Sequence, residues 1–212
     1  MIQNYQKWLD NELIRIADST KIPRLLLHVC CAPCSSYVLE YLNTYFDITL
    51  HFYNPNISPA SEYEYRAAEL TRLVSEMPLK NPVTVHIPSY DPAPFTAICK
   101  GYEHLPEGGE RCTKCYRLRL EDAARAAAVG HYDYFTTTLS ISPLKDARRL
   151  NDIGGTLAEK YGVPYLYSDF KKREGYKRSI QLSAEHQLYR QDYCGCSFSK
   201  RDAEIRKAER KD

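Results

Sequence analysis

The sequence predicts an α/β fold, a mainly parallel sheet with helices on both faces, followed by a helical C-terminal region that carries cysteines. Short apolar runs of strand length alternate with segments of helical periodicity through most of the chain. The composition, 43% hydrophobic and 26% charged, is that of a globular protein, and 212 residues suffice to bury one full core. The third observation concerns the cysteines: eight of them fall into Cys30-Cys31-Ala32-Pro33-Cys34, Cys112-Thr113-Lys114-Cys115, Cys194-Gly195-Cys196 and the single Cys99. Core cysteines scatter singly, so clusters at this spacing point to a metal, an iron-sulfur cluster or a redox disulfide.

Residues 1–20 read as a peripheral helix with apolar positions Trp8, Leu9, Leu13, Ile14 and Ile16. Leu25 to Val29 is a buried parallel strand that ends at the first cysteines. Ser35 is the expected cap of the next helix, with Val38, Leu39, Leu42 and Phe46 as its periodic apolar positions. Asp47 to Tyr53 reads as the second strand, stopped by Asn54-Pro55-Asn56. A helix over Ala60 to Met77 and a strand over Val83 to Ile87 follow. Residues 89–111 are rich in Pro and Gly and form an excursion that bears Cys99. Cys112 to Ala128 is helical, Tyr132 to Thr138 is β-rich, Asp146 to Tyr161 is helical and Pro164 to Tyr167 is a short strand. Residues 175–212 are a helical region around the Cys-Gly-Cys turn, and the whole chain, 1–212, is expected to form one domain. Ligands on such sheets bind beyond the carboxyl ends of strands. There the segment from His28 to Ser36 offers thiols where a nucleotide-binding protein would offer glycines.

The N-terminal residues lack the basic head and apolar run of a signal peptide, and no stretch has the apolar length of a membrane helix. The expected location is cytoplasmic, with no membrane partner. In a reducing cytosol the cysteines argue for metal ligation or catalytic redox rather than a stapled scaffold. The net charge of +2 is too small to argue for or against nucleic acid. Locally, Arg111, Lys114, Arg117 and Arg119 form one basic stretch, and Lys171, Lys172, Arg173, Lys177 and Arg178 form another. Both lie near cysteine clusters, as a phosphate-bearing substrate would require; a solvated helix face explains either stretch equally well. The eighteen tyrosines suit base stacking or half-buried packing.

Cys30 and Cys31 leave a strand with side chains in different directions, which suits two irons of a cubane better than one mononuclear metal. The following helix presents its positive end to an anionic cluster, and Cys112-x-x-Cys115 supplies the remaining ligands at a helix start. A closed zinc site built from the same four sulfurs fits this spacing too. Cys194-Gly195-Cys196 permits a tight, strained disulfide, with Gly195 supplying the backbone freedom, and strained disulfides exchange readily. The pair then reads as a dithiol that cycles, the alternatives being two reduced thiols or a ligand in a metal shell. Cys34 is close enough to the first pair to bind a second metal ion, and Cys99 reads as a packing thiol.

Taken in chain order, His28-Val29-Cys30-Cys31-Ala32-Pro33-Cys34, Phe52-Tyr53-Asn54-Pro55-Asn56-Ile57, the stretch from Arg111 to Leu120, Thr137 to Pro143 and Tyr189 to Cys196 resemble the QueH-type epoxyqueuosine reductases. The resemblance runs over about residues 25–198 and leaves the N-terminal helix outside. It implies a HUP/Rossmann-like fold and a two-electron deoxygenation of epoxyqueuosine at the tRNA anticodon wobble position, giving queuosine. It also implies a 4Fe-4S cluster on Cys30, Cys31, Cys112 and Cys115 and a redox-active pair at Cys194 and Cys196, fed by an electron donor that the sequence does not identify. Cys34 stands where some members carry Asp, a position inferred to hold an additional metal, here a second iron ion; a thiolate can serve there.

On this expectation iron polarises the epoxide oxygen. Tyr53, His28 and Asp146 are candidate proton donors, each with a structural role as the plainer explanation. The modified base is extruded into the strand-end crevice, and Arg117, Lys172 and Arg178 hold flanking phosphates. Two other classes compete. A tRNA sulfur-transfer enzyme of related fold should carry a phosphate-cradling Gly/Ser loop after the first strand, which this chain lacks. A zinc-stabilised RNA-binding module would use the same thiols without chemistry.

Overall fold

The computed structural model describes residues 4–209. Strands β1 (Arg24–His28), β2 (Asp47–His51), β3 (Val83–His86) and β4 (Tyr134–Thr137) form an all-parallel sheet in the order β3-β2-β1-β4. The chain walks outward from β1 to β3 and then returns to pair β4 with the free edge of β1. This is the strand order of a Rossmann-like sheet, and the reversal leaves a crevice beyond the carboxyl ends of β1 and β4.

Alternation along the strands sends side chains to two cores. On one face, α1 (Tyr5–Ala17), α2 (Ala32–Leu42) and α3 (Ala60–Glu76) pack Leu9, Leu39 and Leu70 into the cluster that holds Leu25, Leu27 and Ile48. Beyond β3 come α4 (Ala93–Cys99) and α5 (Glu110–Val129); α5 joins α6 (Ala147–Tyr161) on the opposite face, where Leu120, Ala123, Leu150 and Leu157 meet Leu26 and Phe135. Two further helices, α7 (Gly175–Glu185), which packs on α2, and α8 (Ser197–Ala208), make up the C-terminal region. The expected helix over residues 1–20 is α1, and its residues 1–3, like 210–212 of the C-terminal region, lie outside the described residues.

Several boundaries differ from the sequence expectation for local reasons. Ser35 is not the cap of α2. The helix starts at Ala32 with Cys31 as N-cap, Pro33 fills the first turn where its missing amide costs nothing, and the Ser35 hydroxyl donates back to the Cys31 carbonyl at 2.8 Å. Phe46 is buried but lies past the helix end at Leu42. The strand expected over Pro164 to Tyr167 is reduced to one bridge between Phe135 and Tyr165. Side chains capture its neighbouring backbone groups instead. Thr136 Oγ1 donates to the Leu166 carbonyl at 2.8 Å, and the Asn151 amide bonds both the N–H and the carbonyl of Ser168, at 2.9 and 2.8 Å. The Pro/Gly excursion carries α4, and α5 begins early enough to include Arg111.

Helix α6 lies so close to the sheet edge that a Cβ at Gly154 would sit 2.4 Å from the ring of Tyr165. That ring is buried and packs edge-on against Phe135 and Tyr167, so it has no free space to retreat into. Gly154→Ala is therefore expected to destabilise the fold by about 1–3 kcal/mol, read as a lower midpoint in urea unfolding with an unchanged slope.

Candidate thiol site

Each cysteine cluster lies at the start of a helix. Cys31 caps α2, Cys112 falls in the first turn of α5 with Cys115 one turn further on, and Cys196 caps α8. Free amides and the positive end of the helix dipole at these points favour thiolate over thiol. The Cys30, Cys31 and Cys34 sulfurs lie within 4.8 Å of one another, with Cys30 and Cys31 separated by 3.8 Å. Three convergent sulfurs at that separation suit a thiophilic metal. Hydrogen bonds from the Cys31 and Cys34 thiols, helped by the charges of Arg119 and Lys145, pull the Cys30 pKa well below the ordinary thiol range. As donors in those bonds, Cys31 and Cys34 are pushed upward in turn.

Cys112 and Cys115 stand on the same side of the sheet, where Cys112, like Cys30, packs against the α5 core. Burial lifts both thiols, Cys115 to about 12. The charges of Cys194, Cys196 and Cys112 add to that rise at Cys115, so the middle and C-terminal clusters share one electrostatic neighbourhood. Cys194 is half-buried and takes a contact of 3.4 Å from Lys145 Nζ; Cys196 is buried, accepts from the Ser199 amide at 3.3 Å and is raised by burial. Gly195 between them has φ +115, and a Cβ there would meet Arg66 Nη1 and Ile57 Cγ1 at 3.1 Å, so both backbone and space demand glycine. Arg66 and the Ser58 amide hold this turn through the carbonyls of Cys194 and Gly195, at 3.4 and 3.0 Å.

A cleft of about 320 Å³ opens at the switch point, and Cys30, Cys31, Cys34 and Cys194 line it. Lys145, Arg66 and Arg190 supply positive charge, Tyr176 and Tyr193 aromatic surface, and Leu139, Ile141 and Leu144 apolar surface. Its two acids are engaged elsewhere, Glu107 with Arg206 and Asp192 with Lys207. Cys112, Cys115 and Cys196 do not line it, and among the described residues the group of sulfurs within 4.8 Å of one another is Cys30, Cys31 and Cys34, without Cys112 or Cys115.

An anionic cluster fits the charge found here. Arg119 is 1% exposed, and its Nε and Nη1 have no hydrogen-bond partner. Neither Arg119 nor Lys145 pairs with a carboxylate among the described residues. Cys115, Cys194 and Cys30 raise the Arg119 pKa against the opposing effect of burial. Cys115 lies near the guanidinium without a hydrogen bond of ordinary geometry, so that contact is electrostatic. A buried guanidinium and a cleft-lining ammonium beside sulfurs, neither paired with a carboxylate among the described residues, match a thiolate-ligated group of net negative charge.

The other residues singled out in the sequence have different places. His28 is buried; Nε2 donates to the Tyr53 carbonyl at 3.2 Å and Nδ1 accepts from Thr137 Oγ1 at 2.8 Å, so the ring is neutral and structural, and burial pushes its pKa well down. Tyr53 does not line the cleft, and burial raises its pKa. Asp146 caps α6 by accepting from the Arg149 amide at 3.2 Å. Arg178 is committed to Glu40 of α2 and Glu185 of α7, Arg117 lines a separate shallow groove and Lys172 does not line the cleft. The basic stretch from Arg111 to Arg119 is half interior: Arg111 is buried and donates to the carbonyls of Tyr102 and Glu103 at 3.3 and 3.1 Å and to that of Leu105. Cys99 is 3% exposed, packs with Phe95, Cys115 and Cys196, and is lifted to about 11 by burial, as a packing thiol would be. Lys145 and Arg66 carried no sequence signal. Arg119 did, since it follows Cys115 by one helical turn on the same face of α5.

A Rossmann-like sheet whose switch-point crevice is built from thiols rather than glycines defines the class of protein. Within that class a sequence profile described as epoxyqueuosine reductase QueH matches residues 25–202. The chain is 42% identical over 200 residues to the epoxyqueuosine reductase QueH of Staphylococcus epidermidis, covering 92% of this chain and 84% of that one. It is 44% identical over 179 residues to the Streptococcus pyogenes protein of the same name (84% and 70%) and 38% identical over 178 residues to that of Thermotoga maritima (82% and 89%). The chain belongs to the epoxyqueuosine reductase QueH family. Among solved structures, the U34-tRNA thiolase NcsA from Methanococcus maripaludis with its 4Fe-4S cluster aligns with a TM-score of 0.49 at 12% identity, over 97% of this chain and 74% of that one.

Two outcomes follow from this geometry. Titrating the reduced protein with cobalt(II), Cys30→Ser is expected to weaken the sulfur-to-cobalt absorption by at least about tenfold in affinity, whereas Cys99→Ser leaves it unchanged. Asp146→Ala is expected to cost about 1 kcal/mol in chemical denaturation, the loss of a helix cap, and to leave the cobalt spectrum intact.

Proposed function

We propose that this chain deoxygenates epoxyqueuosine in tRNA to queuosine, an oxidoreductase reaction in tRNA modification, with Cys30, Cys31, Cys112 and Cys115 holding a 4Fe-4S cluster. The observation that carries the reading is the sulfur-lined cleft at the switch point of a chain of this family. Cys34, within reach of Cys30 and Cys31, is the added ligand for a second iron ion. Bound here, iron supplies Lewis acidity toward the epoxide oxygen and a route for electrons.

The chain's own residues account for the rest. Oxidation of the Cys194 and Cys196 thiols to a disulfide releases two electrons and two protons, which is what conversion of an epoxide to an alkene and water consumes. An external donor must then reduce the pair. Cys194, open to the cleft, is the thiol that meets the substrate side, and buried Cys196 is its resolving partner. A cleft of about 320 Å³ takes a single extruded nucleotide, not a paired stem. Tyr176 and Tyr193 offer stacking surface, and Arg190 and Lys145 supply charge for its phosphates, the role the sequence had given to Arg117, Lys172 and Arg178. No helix among the described residues is long and apolar enough to cross a membrane, and a tRNA substrate supports a cytoplasmic location.

Anaerobic protein incubated with epoxyqueuosine-containing tRNA and a reductant is expected to yield queuosine, measured by nucleoside mass spectrometry. Cys194→Ser is expected to lower turnover by at least about 100-fold while keeping the visible absorbance of the cluster. Loss of that absorbance would overturn the division of the thiols, and a colourless protein containing only zinc would favour the RNA-binding module.

A further inference from the structure

We infer that Arg119 is the counter-charge of the thiolate site and sets the reduction potential of the cluster held there, an inference that rests on the cluster reading above. The guanidinium is 1% exposed and no carboxylate bonds it among the described residues. Its one hydrogen bond of ordinary geometry runs from Nη2 to the side-chain oxygen of Asn54, a neutral group, and leaves Nε and Nη1 with no partner but the nearby Cys115 sulfur. A buried cation in that condition is costly unless something anionic occupies the space beside it. Sulfur is what lies there. Cys112, Cys115 and Arg119 follow one another at helical spacing on a single face of α5, and Asn54 Nδ2 donates at 2.9 Å to the carbonyl of Val29, the residue before Cys30. The clamp therefore fixes the charge between the first and middle cysteine clusters. Lys145, the other cation of the neighbourhood, is directed to Cys194 at 3.4 Å.

A fixed positive charge beside a redox centre stabilises its reduced, more negative form and raises its potential. A bracing role for Arg119 alone would predict something different, because a neutral side chain making the same bond to Asn54 would then leave the potential unchanged. The test compares the anaerobically reconstituted full chain with Arg119→Gln and Arg119→Lys by optical redox titration. At the wild-type midpoint, the reduced-to-oxidised ratio is expected to fall at least tenfold in Arg119→Gln, about 59 mV for a one-electron couple, and to be retained in Arg119→Lys. Equal midpoints in wild type and Arg119→Gln would overturn the inference and leave the cluster reading standing. Wild-type protein that takes up no iron and sulfide would overturn the cluster reading itself. Should Arg119→Gln fail to fold, Asn54→Asp sets a carboxylate on Nη2 and is expected to shift the midpoint in the same direction; an unmoved midpoint overturns the inference equally.

Discussion

Positive charge gathered beside convergent sulfurs organises the carboxyl end of this sheet. The starts of α2, α5 and α8 each bring a cysteine cluster to the positive end of a helix, and Arg119 and Lys145 add full charges that no carboxylate pairs with among the described residues. Rossmann-like proteins that bind phosphates solve the same problem with glycines, letting backbone amides approach an anion that arrives from solution. Here the chain supplies sulfurs of its own at that place, so side chains occupy the loop and Pro33 can open the first turn of α2.

Asn54 and Arg66 show how the site is held at a distance from its own chemistry. Asn54 ties the end of β1 to α5 through Val29 and Arg119, which accounts for the Tyr-Asn-Pro-Asn segment that ended the second strand in the sequence. Arg66, fixed by Glu62 at 2.7 Å, reaches from α3 to the carbonyl of Cys194 and stacks near the Tyr193 ring. The C-terminal turn thus docks on α3 through Arg66 and on the Ser58 amide. It takes glycine at its centre because a φ of +115 is one that L side chains rarely adopt, and a Cβ would crowd Arg66 and Ile57 at 3.1 Å.

Much of this was legible before any coordinates. Alternating apolar runs gave the parallel sheet because buried strands and amphipathic helices write different periods into the chain. Cysteine spacing gave the three clusters because sequence-local ligands stay local in space. What the sequence hid was direction. Arg111 and Arg119 read as a basic surface, yet helical phase turns both inward, one to loop carbonyls and one to sulfur. His28 and Asp146 are candidate proton donors in the sequence, with a structural role as the plainer explanation, and that role is the one they have: Asp146 caps its own helix and His28 bonds the Tyr53 carbonyl and the Thr137 hydroxyl. Lys145 lies in an irregular segment with no periodicity to mark it. The last strand faded because the Thr136 hydroxyl takes the Leu166 carbonyl and Asn151 takes the backbone of Ser168 just beyond it, contacts between segments separated in the chain.

Helix α1 stands apart from all of this chemistry, but it is no ornament. Leu9, Leu13 and Ile16 are buried, Asp10 accepts from Tyr41 at 3.2 Å and pairs with Arg173, and the Trp8 ring packs edge-on against Tyr167 at 5.0 Å. The segment is attached to the sheet only through residues 18–23, yet its apolar stripe and polar grips hold it independently of that tether. A chain nicked in the connection would therefore keep both pieces together as a non-covalent complex, and a polypeptide that began at the first strand would have to close the resulting trough with bulkier neighbours or with a second molecule.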